Sequence, residues 1–256
     1  MQGPSFSSDK IQLYCPTRWS DMTQEQLRYT LELIGSGLYS SEEIRTMMLI
    51  RFCGIKVLKK YKGVWVCSIK TDEGKKIKFD LQTWQVQDMI GQLQFVDKPE
   101  EMDVRLENIH GYQAVDKLLH GLLFIDYLNL EVCYQGWVNT KSEERVAAMA
   151  RILYRDENGN MPDSLELDIA ETASTLFWMF YIKTAFARHF KNFFKPVTEV
   201  GGSYNIGEAI NAQVRALTDG DVTKEDHVKH LDCWVCLTEL NAKAREAEEF
   251  NKKYGK

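Results

Sequence analysis

Residues Leu165 to Phe194, LELDIAETASTLFWMFYIKTAFARHFKNFF, decide how this chain is read. Within them Leu176-Phe177-Trp178-Met179-Phe180-Tyr181-Ile182 are seven apolar or aromatic residues in a row, and at about 100° per residue they cover the whole circumference of a helix. Such a helix has no face to give to water and must be wrapped by others. A membrane span is the rival reading, but it needs roughly 18 apolar residues. This run is closed by Lys183 on one side and by Thr172, Ser174 and Thr175 on the other. The spacing therefore predicts a central buried helix, 165–194, in a mainly α protein with a minor β part.

Towards the N-terminus, residues 1–10 are polar, contain Gly3 and Pro4, and lack periodicity, which predicts an extended or mobile arm. Thr23 with Gln26 and Ser40 with Glu43 form capping boxes for two short helices, the first carrying Leu27, Leu31 and Ile34 up to Gly35 and Gly37, the second Ile44, Met47, Met48 and Phe52 up to Gly54. The period then changes. Gly63 to Ile69 is rich in strand formers, Lys75 to Leu81 alternates polar and apolar, and Thr71-Asp72-Glu73-Gly74 reads as the turn of one β-hairpin near 63–81. Helical spacing returns from Thr83 to Phe95. Lys98 to Asn108 reads as a surface connection or a loose third strand, and as the boundary between a subdomain 11–97 and a helical domain 109–256.

From Tyr112 onward the pattern predicts helix to the end, with Thr140 and Glu143 as a further capping box and breaks at Asp156 to Asp163 and around Pro196 and Gly201-Gly202. The last helix is expected to start at Thr223. Up to Leu240 it carries enough apolar side chains to pack. Beyond that only alanines, Phe250 and Tyr254 interrupt charge, so its second half is expected to project from the core.

Composition narrows the classes of function. Hydrophobic residues make up 44% and charged residues 27% of 256, which is ordinary for a globular protein, and a net charge of −5 with mixed signs gives no strong electrostatic case for nucleic acid or an anionic membrane. The N-terminus has no basic patch followed by an apolar block, so a cytoplasmic location is expected. Cys15, Cys53, Cys67, Cys133, Cys233 and Cys236 lie scattered among apolar neighbours, which suits a reducing compartment.

The sharpest chemical candidate is His227, His230, Cys233 and Cys236, four metal-ligand types at steps of three. On one continuous helix these steps sweep about 180° and spread over roughly 13 Å of axis, too far apart for a single zinc ion. As a redox pair, Cys233 and Cys236 would need a helix N-terminus under the first cysteine, whereas the pattern places both inside a helix. Glu166, Asp168 and Glu171 read as acids complementing the first turn of the central helix, and His110 and His120 as surface or capping side chains. Phosphate-loop, dinucleotide, nucleophile-elbow and zinc-protease motifs are absent from the sequence. No catalytic residue, metal ligand or cofactor is assigned. A basic and aromatic face, Lys183, Arg188, His189, Lys191 and Lys195 with Phe186, Phe190, Phe193 and Phe194, offers an alternative as a nucleic-acid surface.

Three pieces, PTRWSDMTQEQLRYTLELI, LLFIDYLNLEVCYQGWVNTKSEERVAAMARILYR and ALTDGDVTKEDHVKHLDCWVCLTELNAKAREAEEFNKKYG, resemble small proteins encoded among the virion genes of phages and prophages of gut bacteroidetes. The resemblance implies a structural or assembly role: a head–tail connector or ring subunit, or a tail-assembly chaperone, in the host cytoplasm or the virion. The expected function is then non-enzymatic, through contacts with copies of itself or other assembly proteins and without a membrane. Trp65, Phe79, Lys191, Phe193, Phe194, Phe250 and Tyr254 are the expected contact residues. The alternative is an intracellular nucleic-acid-binding regulator using the 183–195 face.

Overall fold

The computed structural model describes residues 6–7, 10–11, 13–71, 74–194 and 205–254. The protein is mainly α with minor β: 58% is helical, with nine helices and two small three-stranded sheets among the described residues. Two compact units form, one from residues 1–106 with Ile169–Ser174, the other from 107–168 with 175–256.

The first unit begins with Phe6–Ser7 (β1) paired antiparallel to Lys10–Ile11 (β2), inside and just beyond the expected arm; the rest of that arm lies outside the described residues. Helices α1 (Gln24–Gly35) and α2 (Ser41–Phe52) open as the sequence predicts. Thr23 Oγ1 accepts from the Gln26 amide at 3.2 Å while Gln26 Oε1 accepts from the Thr23 amide at 3.0 Å, and Ser40 and Glu43 repeat the exchange. Leu27, Leu31, Met48 and Leu49 are buried between them. Gly35 is needed for a different reason than ending a helix: Ile169 and Ala173 pack directly against its Cα.

The expected hairpin is a three-stranded meander, β3 (Lys56–Tyr61), β4 (Val64–Lys70) and β5 (Lys76–Gln82), in the order β3-β4-β5. Strand β3 escapes the sequence pattern because its register shifts between Val57 and Lys59, so a bulge breaks the period of two. Helix α3 (Thr83–Gly91) follows at once, its Thr83 amide donating to the Gly63 carbonyl at 2.8 Å. The stretch expected to be a surface connection is partly core: Met102 and Leu106 are buried, and the Leu106 amide donates to Ser174 Oγ.

In the second unit the expectation of continuous helix from Tyr112 is corrected. Asn108–Ile109 (β6), Tyr112–Ala114 (β7) and Tyr154–Arg155 (β8) form a small sheet, β7 central, that pairs residues far apart in sequence. Helices α4 (Phe124–Thr140) and α5 (Glu143–Leu153) lie between its strands. Thr140 does not cap α5; it is the last residue of α4, its hydroxyl donates to the Gly136 carbonyl, and Lys141 turns the chain at a φ of 56°. Helix α6 (Ile169–His189) is the predicted central helix, shorter than 165–194 at both ends. None of its seven bulky residues is exposed: Trp178, Met179 and Ile182 are buried and the other four half-buried. Trp178 satisfies its indole N–H on the Lys117 carbonyl at 2.9 Å.

Helix α7 (Ile206–Thr218) precedes the second correction. The expected single terminal helix is two, α8 (Glu225–Lys229) and α9 (Cys233–Tyr254). Between them the chain pairs with the entrance of α4. The Phe124 amide donates to the Leu231 carbonyl and the Cys233 amide to the Leu122 carbonyl, both at 2.8 Å. Asp232 fixes the break, accepting from the Gly121 and Trp234 amides, each at 2.7 Å. A carboxylate holding two backbone amides outweighs the helical preference of the flanking residues.

Candidate functional site

The aromatic residues at the end of α6 converge on Trp234 of α9. Its indole N–H donates to the Leu118 carbonyl at 2.6 Å, His120 stacks on its ring at 4.2 Å, and Phe190, Phe186 and His189 surround it at 5.1, 5.6 and 4.8 Å. Phe186 and Phe190 are buried, which accounts for their place in the sequence as packing. Phe193 and Phe194 are half-buried in the turn that follows α6, where the Asn192 and Phe193 amides donate to Asn241 Oδ1 at 3.0 and 3.3 Å. Lys191 is exposed, and Lys195 lies outside the described residues. Lys183, the first member of the expected basic face, turns inward to Glu131, with Nζ 2.7 and 3.0 Å from its two carboxylate oxygens.

This ion pair forms the polar end of a cavity of about 590 Å³ between α4, α6, α7 and α9. Tyr127, Phe194, Ile206 and Leu240 give it apolar walls, and Gln213 lines it with a buried Oε1 that has no hydrogen-bond partner among the described residues. A buried acceptor of this kind is satisfied only by an N–H or O–H brought from elsewhere. Sequence reasoning singled out Lys183 but missed Glu131 and Gln213. The signal for Glu131 was available, since it is the one acid between Asn129 and Gln135 in an otherwise apolar turn of α4.

Several other titratable groups are arranged as structural pairs. In the second unit Arg155 Nη2 lies 3.0 Å from Asp126 Oδ2; burial pushes the Asp126 carboxyl above its ordinary range and the guanidinium pulls it back. In the first unit Glu171, 2% exposed, accepts from Arg28 at 2.7 Å. His230 Nδ1 lies 2.7 Å from the Asp226 carbonyl.

The His227 to Cys236 constellation does not assemble. His227 and His230 are exposed, Cys233 and Cys236 are buried, and no group of three metal-ligating side chains among the described residues could hold an ion. Both cysteines lie in α9, but the expectation that they sit in a helix interior is corrected for Cys233, which is its first residue. A thiol at that position ordinarily gains acidity. Here burial dominates: Cys233 is pushed up to about 12 and Cys236 to about 11. Their S–H groups reach the Leu119 and Val228 carbonyls, at 3.2 and 3.7 Å. The contact that sequence spacing could not show is Cys15 beside Cys53 in the first unit. A thiol hydrogen bond from Cys53 lowers Cys15 below the ordinary thiol range, while Cys53 is raised by that bond and by burial.

Of the remaining nominated contact residues, Trp65 and Phe79 are half-buried on one face of the meander, with the Lys60 ammonium 3.3 Å from the Trp65 ring centroid. Phe250 and Tyr254 are 62% and 60% exposed, their rings 4.9 Å apart on α9. No family model, curated protein or solved structure matches the chain.

Proposed function

We propose that this chain is a non-enzymatic binding protein that works as a subunit of a larger assembly, with the end of α9 docking on a second copy of itself. The observation that supports the reading is the last stretch of that helix. Leu240 is its last buried residue, yet the helix runs on to Tyr254. From Arg245 to the end, ten residues or about 15 Å, every side chain except the half-buried Glu248 is exposed. Ala247, Phe250 and Tyr254 fall at i, i+3 and i+7 and make one apolar stripe. Beside it Glu246, Glu248 and Glu249 precede Lys252 and Lys253. Two such helices laid antiparallel set the acidic segment of one against the basic segment of the other, and the arrangement closes under two-fold symmetry.

A phage-type particle, with this chain as a head–tail connector or ring subunit or a tail-assembly chaperone, is the setting that the resemblance of the sequence implies, and a self-pairing helix suits it. No helix among the described residues is long and apolar enough to cross a membrane. The alternative, a nucleic-acid regulator using the 183–195 face, draws support only from Arg188, His189 and Lys191, since the other described members of that face are buried, half-buried or ion-paired.

Sedimentation velocity over a range of concentrations tests the proposal. Wild type should associate, and Phe250→Glu with Tyr254→Glu should remain monomeric with unchanged circular dichroism. A wild type that stays monomeric throughout, or a double variant that associates undiminished, would refute it.

A further inference from the structure

The meander of the first unit concentrates positive charge that the chain as a whole lacks. Residues 56–82 carry eight lysines against three acids, a formal +5 in a chain of −5. Strand pairing decides where these lysines stand, because residues directly opposite one another share a face. The pairs Val57 with Cys67, Cys67 with Phe79, and Ile69 with Ile77 define the apolar face, where Cys67 and Ile69 are buried. The opposite face holds Lys56 across from Ser68 and Ser68 across from Lys78, Lys59 across from Val66, and Lys70 across from Lys76. All five lysines are exposed. Among the described residues none of the five has an ion-pair partner. Asp80, opposite Val66, is the one described acid on that face; Asp72 and Glu73 of the connecting turn lie outside the described residues.

The face has the form of a shallow trough. Its floor is the central strand, where Val64 and Val66 are half-buried and Ser68, flanked by Lys56 and Lys78, is 2% exposed; Lys56 and Lys59 of β3 make one rim and Lys76 and Lys78 of β5 the other. The rims stand two strand spacings apart, roughly 10 Å, and lysines two apart on one strand are spaced roughly 6.6 Å along it. Like charges directly opposite each other, as at Lys70 and Lys76, work against sheet stability. An anion lying between them removes that penalty. At the Gly63 end of the sheet stand two exposed rings: Tyr61, 49% exposed and on the lysine face by its pairing with Val64, and Trp84, 65% exposed, which the Thr83 to Gly63 hydrogen bond brings to that end.

We infer that this trough binds single-stranded nucleic acid, its phosphates running between the lysine rims and its bases stacking at the Tyr61 and Trp84 end. A linear polyanion matches the charge and the length of the trough. Exposed aromatic rings at its end favour bases over an acidic peptide, because stacking on rings is how single strands are held without sequence preference. The inference does not depend on the docking role of α9, and it uses none of the 183–195 face.

Fluorescence anisotropy with a labelled oligo-dT single strand and the full chain tests it. With four to five phosphates neutralised, log K should fall with log salt at a slope of about −2.8 to −3.5, a loss of roughly 50- to 130-fold between 50 and 200 mM salt. Lys56→Glu with Lys78→Glu should weaken binding at least tenfold and flatten the slope by about 1.4. Lys56→Gln with Lys78→Gln, which removes charge without reversing it, should show the same direction, and Tyr61→Ala should cost fivefold or more. Lys191→Glu should change nothing. No binding at low salt, binding unaffected by the Lys56 and Lys78 variants, or displacement of the oligonucleotide by poly-glutamate at equal charge concentration would overturn the inference, the last pointing to an acidic protein segment instead.

Discussion

Replacing Gly35 by alanine is expected to destabilise the first unit by about 1–2 kcal/mol, and the figure can be built from the geometry. Gly35 closes α1. A Cβ there would stand 2.9 Å from Ile169 Cγ2, 3.0 Å from the Ile169 carbonyl oxygen and 3.1 Å from Ala173 Cβ. Two of these three obstacles are fixed to the backbone of α6 and cannot swing aside, so the helices must part and their packing loosen. Overfilling of this kind costs roughly 1–3 kcal/mol. Against it stands the helical advantage of alanine over glycine, about 0.5–1 kcal/mol and smaller in a last turn. Gly91 supplies the control, since it closes α3 in the same way and a Cβ there would meet nothing within 4 Å. Gly91→Ala should therefore be neutral or stabilise by up to about 1 kcal/mol. Urea unfolding followed by circular dichroism should lower the Gly35→Ala midpoint and leave the Gly91→Ala midpoint unchanged or raised, with unchanged slope. If Gly35→Ala unfolds at or above the wild-type midpoint, the close approach of α1 to the first turns of α6 is not what requires glycine there.

Two further outcomes follow from the ion pairs and caps. Lys183→Met leaves the nearly buried Glu131 carboxylate without its ammonium and should cost about 2–4 kcal/mol in thermal or urea unfolding. Adding Glu131→Gln should recover most of the loss, and a double variant no more stable than the single would show that the pair is not the cause. At Asp21 the Arg18 guanidinium, with help from the Thr17 hydroxyl and amide, holds the carboxyl at about 2, against an ordinary value of 3.8. A depressed carboxyl stabilises while ionised, so its contribution is complete above the unfolded value and is lost as pH falls through about 2. A carboxyl-resolved NMR titration should find that midpoint, and Arg18→Ala should raise it; an Asp21 that titrates in the ordinary range would reject the hydrogen-bond network.

Sequence legibility tracked the range of the interactions involved. The Thr23–Gln26 and Ser40–Glu43 boxes span three residues each, so their chemistry is written in adjacent letters and both helices open where expected. Strand β3 was hidden although it lies beside its partner, because one bulged residue, Leu58, is enough to scramble a period of two. Strand β8 was hidden for a different reason: Tyr154 and Arg155 look like the tail of α5 until Ala114 and Gln113 are seen opposite them. The α8–α9 break belongs to the same class, since Asp232 finds its amides partly at Gly121, far earlier in the chain.

The candidate sites divide along the same line. That Phe250 and Tyr254 interrupt a charged helix end is visible in composition and spacing. That Lys183 faces Glu131 and leaves the basic face, that Cys233 opens a helix yet is buried too deeply to be acidic, and that five lysines share one face of a sheet are all matters of who stands opposite whom. Amino-acid order by itself determined the mainly helical class, the wrapped central helix and the caps, because side-chain periodicity and local hydrogen bonding act within a few residues. Only the tertiary structure decided the third strand of the meander, the second sheet, the broken terminal helix and the lysine trough, because strand register and long-range capping are chosen by partners that the local pattern does not contain.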